Sequence, residues 1–291
     1  MGKNRTNSCR TSIIKTLSYS GVFGYPITFY QISNNLISGS LFTHKKIKKE
    51  LEKLVNDGTV KKVKNRFMLK GIKTHDVRKR EKYTREIIKK YKEKIKLLKK
   101  VPWVKMIAIT GSVANYDAEE GADIDLLIIT EKNRLWITRG FVFLILKIIN
   151  ELPKDKSKRK ICPNIFLDES NMAWSEKKRN LYVAQNILSV QPFSWRDNIY
   201  FRFLNENNWI KKYYKNFNLN YEDKKTESKR DSSLMISLEN IARKKEIKYM
   251  EKDITTEIVN PKLIHFNKND STKKILSRYK EILKKYQNSQ K

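Results

Sequence analysis

A chain of 291 residues suits two or three compact units. Its 63 Lys and Arg against 31 Asp and Glu leave a net charge of +32, a field that favours polyanions, nucleic acid first. The hydrophobic share of 39% suffices for a folded core, while two distant cysteines (Cys9, Cys162) and three scattered histidines (His44, His75, His265) exclude a disulfide framework, zinc spacing and a histidine-based metal site.

The N-terminus has no apolar signal core, and the longest apolar run, 141–149, carries Lys147 and is too short to span a bilayer. A cytoplasmic protein without a membrane span is the expectation. Lysines are spread over every segment, and the chain is rich in Lys, Asn and Ile together, a pattern that a biased composition also produces.

In chain order, residues 1–72 read as a small unit of three helices and a hairpin. Ile13, Ile14 and Leu17 give the first helical face; Gly21, Gly24 and Pro26 break it; Thr28 opens a short helix. A third helix follows Thr43 with Ile47, Leu51, Leu54 and Val55 on one side, and Gly58 stops it. Two short alternating strands flank the Lys64-Asn65-Arg66 turn. The plan matches a helix-turn-helix whose third helix would present His44, Lys45, Lys46, Lys48 and Lys49 outward, as a duplex reader or as a docking module. Residues 73–102 form a connecting basic helix with an apolar stripe of Tyr83, Ile87, Tyr91, Ile95 and Leu98, begun near Asp76 and ended by Pro102.

Residues 103–170 form the core of the expected site. A strand over 104–110 leads into Gly111-Ser112, a polar connection follows, and a second strand over 124–130 opens with Asp123-Ile124-Asp125-Leu126. Strand side chains alternate, so Asp123 and Asp125 point to one side within an apolar run. Two aligned carboxylates repel each other and resist burial, and a divalent cation is the usual compensation. Gly111 allows close backbone approach, and Ser112 adds a hydroxyl and an N–H for phosphate. A helix over 133–151 and a strand over 161–167 follow, separated by a basic loop at 154–160. Residues 171–291 read as helical, with segments at 172–190 and 197–215 parted by Pro192, a polar linker near 218–233, a helix near 234–250, a loop through Pro261 and a last helix over 271–286. The fold class is α+β.

The apolar strand, Gly111-Ser112, a ten-residue gap and Asp123-x-Asp125 resemble the signature of the DNA polymerase beta-like nucleotidyltransferase superfamily. The stretches TLSYSGVFGYPIT, NRLWITR, ICPNIFL and LIHFNKND extend the likeness to uncharacterised nucleotidyltransferase-domain proteins with an N-terminal winged-helix-like segment. The resemblance implies a mixed sheet with helices, behind a winged-helix-like domain and ahead of a helical region. It also implies Mg²⁺-dependent transfer of a nucleoside monophosphate from a nucleoside triphosphate to an acceptor hydroxyl on nucleic acid (DNA or RNA), protein or a small molecule. Two Mg²⁺ ions, with Mn²⁺ as a substitute, would sit on Asp123, Asp125 and a third carboxylate.

That third acid is the open question. Asp168 stands at the end of the strand in ICPNIFLDES and shares a face with Asn164, which lies nearer the middle but is neutral. Asp168 is taken as the catalytic and metal-binding third acid; a helix cap is its other reading. Arg139 joins Gly111 and Ser112 as a nucleotide contact, and Asp117, Glu119 and Glu120 read as surface acids. Trp136 and Trp209 suit core packing or base stacking. The alternative to an active transferase is a catalytically weak, nucleotide-binding, DNA-binding regulator or a toxin–antitoxin component. Oligomeric state is left open.

Overall fold

Side-chain caps fix where the N-terminal helices begin. The Ser8 hydroxyl accepts from the Thr11 N–H at 3.1 Å and starts α1 (Cys9–Val22). After β1 (Ile27–Thr28), Thr28 and Gln31 close a capping box on α2 (Phe29–Asn34). Thr43 caps α3 (His44–Asn56), and Gly58 at φ +76° turns the chain towards β2 (Val60–Val63) and β3 (Arg66–Leu69). The three strands pair antiparallel in the order β1–β3–β2 over a core of Ile13, Leu17, Ile32, Ile47 and Leu54. The short β1 is an addition to the expected three helices and hairpin. Asp76 then caps α4 (Val77–Leu98), its Oδ1 accepting from the Lys79 N–H at 3.1 Å.

The structure is a computed structural model and describes residues 8–153, 160–218, 232–250, 258–265 and 271–288. Most of the expected basic loop (154–159), most of the polar linker (219–231) and the end of LIHFNKND (266–270) lie outside the described residues. The central sheet is mixed and six-stranded, in the order β7–β4–β5–β6–β9–β8. In chain order it uses β4 (Val104–Ile109), β5 (Ile124–Thr130), β6 (Ile161–Asp168), β7 (Gln191–Trp195), β8 (Ile258–Asn260) and β9 (Leu263–His265). Within this sheet only the β5–β6 pair is parallel among the described residues, joined through α6 (Leu135–Ile148). The remaining helices are the one-turn α5 (Gly111–Ala114), α7 (Leu181–Leu188), α8 (Ile199–Glu206), α9 (Ser233–Met250) and α10 (Thr272–Asn288).

Three sheet strands therefore come from 171–291, the stretch read as helical. β7 carries Pro192, which sequence reasoning takes as a break between helices. It is an edge strand, where a missing N–H costs no ladder bond. β8 and β9 have three residues each, too short to show alternation, and turn at Pro261-Lys262.

Strand alternation divides the core. Ile107, Ile109, Ile124, Leu126 and Ile128 face α4 and α6 on one side. Met106, Ala108, Leu127 and Ile129 face α7 and α8 on the other, with Tyr19 of α1 and Tyr279 of α10. Asp125 has the parity of Leu127 and Ile129, so it belongs to the second side. α10 continues from that side into the N-terminal core through Ile282 and Tyr286, and the Tyr286 hydroxyl donates to the Lys70 carbonyl. It thereby ties the N-terminal unit to the sheet. No described helix is long and apolar enough to cross a membrane.

Candidate active site

β4 is buried along its whole length, and the chain leaves it through Gly111 at φ +68°. That left-handed conformation suits glycine, and space demands it too. A Cβ on Gly111 would lie 2.6 Å from Asp125 Oδ2. The Gly-Ser turn thus lies directly against the Asp125 carboxylate. The turn is held from several sides. The Ser112 carbonyl accepts from the Asn115 and Asp117 N–H groups at 3.1 and 3.0 Å, and the Gln191 amide of edge strand β7 donates to the Ala114 carbonyl. Gly111 and Ser112 stay exposed.

Asp125 is largely enclosed. Burial first, and the neighbouring Asp123 second, push its carboxyl up to about 7, against a single donated hydrogen bond from the Asn164 amide. Asn164 reaches it because β6 bulges there. Leu126 pairs with Pro163 and Leu127 with Ile165, so Asn164 is the extra residue of the ladder. The side chain brought beside the acid pair by β6 is therefore an amide. Among the described residues, no cluster of three His, Cys, Asp or Glu side chains is placed to hold a metal ion.

The structure does not bring Asp168 to this site. It pairs with Thr130, whereas Asp125 pairs with Cys162, five residues earlier on parallel strands, or about 16 Å away at ~3.3 Å per residue. Both Asp168 oxygens are already engaged: Oδ2 accepts from the Asn133 N–H at 2.6 Å, and Oδ1 from the Ser170 N–H and hydroxyl at 2.8 and 2.6 Å. The residue is buried as a turn-fastening group and caps no following helix, since the next helical turn begins only at Glu176.

Arg139 also stands elsewhere. It lies on α6, across the sheet from Asp125, where it pairs with Glu246 of α9 and covers the Phe143 ring at 4.5 Å. The anionic partner that its position in the sequence hints at is thus an internal carboxylate. Beside it, Glu239 accepts from the Trp136 and Ile137 N–H groups at 2.8 and 2.9 Å and so caps α6 from α9. Trp136 is core, its indole N–H bonded to the Pro261 carbonyl, and Trp209 lies under Arg179.

A cleft of about 780 Å³ opens over the Gly-Ser turn, with α1, β1 and α2 as one wall and α7 as the other. Sequence reasoning missed Asp117, which lines it. Far from a surface acid, Asp117 is gripped by His75 at 2.6 Å and Arg80 at 3.2 Å, and burial raises its carboxyl against the pull of these two neighbours. The same loop is pinned to α4, with the Ala118 N–H on Thr84 Oγ1 at 3.2 Å and the Gly121 N–H on the Tyr83 hydroxyl at 2.9 Å. Arg85 of α4 and Tyr116 also line the cleft, the guanidinium 5.5 Å over the ring and Tyr116 held at φ +54°.

The Gly-Ser turn thus lines the cleft on one side and packs against the Asp125 carboxylate on the other. Residues 85–189 match the family model of the nucleotidyltransferase domain. The match begins at Arg85 in α4, contains the turn and both acids, and ends just after α7. No curated protein and no solved structure shows a significant match to the chain. The nucleotidyltransferase domain supports nucleotidyl transfer as the general activity and a nucleotide as the substrate. The mixed sheet with its helices is consistent with such a domain, whose match takes in β4, β5 and β6.

Proposed function

We propose that the chain transfers a nucleoside monophosphate from a nucleoside triphosphate to an acceptor hydroxyl, with Asp123 and Asp125 at the reacting phosphate and Ser112 on the outer phosphates. The observation that supports this is the closeness of the Gly111 backbone to Asp125, whose Oδ2 would lie 2.6 Å from a Cβ at that position. The donor set fits a divalent cation: two adjacent carboxylates, one held near neutrality by burial and by the other, are relieved by a bound ion. Mg²⁺, or Mn²⁺ in its place, would rest on Asp123 and Asp125 and would supply charge neutralisation for the triphosphate. Asp123 and Asp125 orient that charge, Gly111 keeps the backbone low enough for phosphate to approach, and Ser112 offers its hydroxyl. Asp168 and Arg139 have no part in this reading, because their groups are spent at other places in the fold.

The test is transfer of label from an α-³²P nucleoside triphosphate, together with pyrophosphate release. Wild type should turn over with Mg²⁺, and Asp123→Ala should lose about 1,000-fold or more. Equal turnover by the variant would refute the assignment. The amide at Asn164 leads to a second expected outcome. With only two carboxylates, the protein should take up one tightly bound Mn²⁺, and Asn164→Asp should raise the stoichiometry towards two, read by electron paramagnetic resonance of Mn²⁺ titrations. A wild-type stoichiometry of two would contradict the role given to Asn164.

A second reading concerns the N-terminal unit. Its order of helices and strands, with β1–β3–β2 pairing, supports a winged helix. On α3, Lys45, Lys46, Lys48 and Lys49 are exposed, as are Lys61, Lys62 and Lys64 on the hairpin. That basic face favours duplex nucleic acid as a partner, with or without catalysis. A steep fall of duplex affinity with salt, lessened when the α3 lysines become Ala, would support it.

A further inference from the structure

We infer that the acceptor is an uncharged, polyhydroxylated small molecule, held in the cleft between the Gly111–Ser112 turn and the N-terminal helices; this rests on the nucleotidyl-transfer reading of the same site.

The chemistry of the cleft wall is the argument. The chain has 63 Lys and Arg, yet among the described residues no lysine lines the cleft. Its charged lining groups are largely satisfied within the protein. Arg66 pairs with Glu81 and also donates to the Tyr25 hydroxyl and the Pro26 carbonyl, and Asp117 is paired with His75 and Arg80. Among the described residues Arg85 is the one lining cation without a carboxylate partner, and its place beside the Gly-Ser turn suits the triphosphate. A nucleic-acid acceptor carries one phosphate per nucleotide and calls for a track of Lys and Arg, which this wall does not offer. A cationic acceptor calls for unpaired carboxylates, and both lining acids, Glu81 and Asp117, already hold cations.

What the wall does offer is rings and amides. Phe23 and Tyr30 line the cleft while 41% and 72% exposed, so two aromatic faces stand open at its rim. Tyr182 extends the aromatic lining on the α7 side. The side-chain amides of Asn35 and Asn186 make no hydrogen bond among the described residues, so each has donors and an acceptor available to a ligand. Flat apolar faces beside bifunctional amides suit the C–H faces and hydroxyls of a sugar, a cyclitol or a nucleoside. The volume, about 780 Å³, lies in the upper part of the ~300–1,000 Å³ range of ligand pockets.

The step balances without a further reactant. The acceptor hydroxyl oxygen bonds to the α-phosphorus, the bond from that phosphorus to the bridging oxygen breaks, pyrophosphate leaves with the electron pair, and the hydroxyl proton passes to water.

The full-length protein, Mg²⁺ and each α-³²P nucleoside triphosphate would be incubated with a cell extract. The extract would be separated beforehand into nucleic acid, protein, ionic small molecules retained on anion or cation exchangers, and the uncharged small-molecule flow-through. Nucleotide binding would be measured in parallel by equilibrium dialysis. The expected result is label transferred to the uncharged fraction, whose product is then retained by an anion exchanger. Tyr30→Ala and Asn186→Ala, both at exposed positions, should raise the KM for that fraction roughly ten-fold, with a smaller change in nucleotide Kd. Nucleotide binding with label only in nucleic acid, protein or ionic molecules overturns the inference alone, whereas nucleotide binding with label in no fraction overturns the transfer reading as well. Failure to bind any nucleotide overturns the transfer reading and this inference with it.

Discussion

Asp125→Asn is expected to lower nucleotidyl transfer by about 1,000-fold or more and, in the same protein, to raise stability at pH 8 in the absence of divalent metal. Burial and Asp123 lift the Asp125 carboxyl from the ordinary 3.8 to about 7, so the folded state holds a proton that the unfolded chain releases near pH 4. Between about pH 4 and pH 7 the native state therefore binds more protons than the unfolded state. Stability from this group falls as pH rises through that window, and the full cost is present above about 7. The difference corresponds to on the order of 4 kcal/mol at ~1.4 kcal/mol per pKa unit. An amide carries no charge to desolvate and is free of the repulsion from Asp123, so the variant should escape the cost. Thermal melts in chelator at pH 5 and pH 8 would show the wild type losing stability towards pH 8 and Asp125→Asn nearly level. A variant melting at or below wild type at pH 8 would contradict this account. Added Mg²⁺ should stabilise the wild type and leave the variant almost unmoved.

The same acid pair shows what the sequence displays and what it conceals. The strand–turn–strand frame is legible because its signals are local: apolar runs at 104–109 and 124–130, a glycine between them, and two acids at period two. Caps at Thr28, Thr43 and Asp76 and the stop at Gly58 are legible for the same reason, each being satisfied within a few residues. Asp168 and Arg139 fail the local reading because their partners are remote or depend on the turn. Arg139 meets Glu246 from a helix more than a hundred residues on, and Asp168 is consumed by the backbone of Asn133 and Ser170. Asn164 is legible by alternation as the residue nearer the middle of its strand, while the bulge beside it, which shifts register by one residue, leaves no mark in composition. Asp117 looked solvated because His75 and Arg80 stand 42 and 37 residues earlier in the chain. The strands β7, β8 and β9 are set by the open edges of a sheet built earlier in the chain, and short segments at an edge follow the ladder more than their own propensity.

Gly111→Ala should lower kcat/KM by about 100-fold or more and destabilise the fold by about 1–3 kcal/mol. Two costs act at this position. The backbone sits at φ +68°, where any side chain is strained, and the added methyl would lie 2.6 Å from Asp125 Oδ2. Either the turn lifts away from the carboxylate or the carboxylate rotates away from Asn164, and both movements separate the proposed phosphate-binding backbone from Asp125. Gly121→Ala isolates the first cost. Gly121 has φ +91° in the same connection, yet a Cβ there meets nothing within 4 Å. Both variants should lose stability, Gly111→Ala the more, while only Gly111→Ala should lose the bulk of its activity. Equal loss of kcat/KM in the two would mean that backbone strain, and not the fit of the turn against Asp125, governs the site. Retention of activity in Gly111→Ala would mean that the reacting phosphate does not approach over this turn at all, since a methyl there occupies the space between the backbone and the carboxylate.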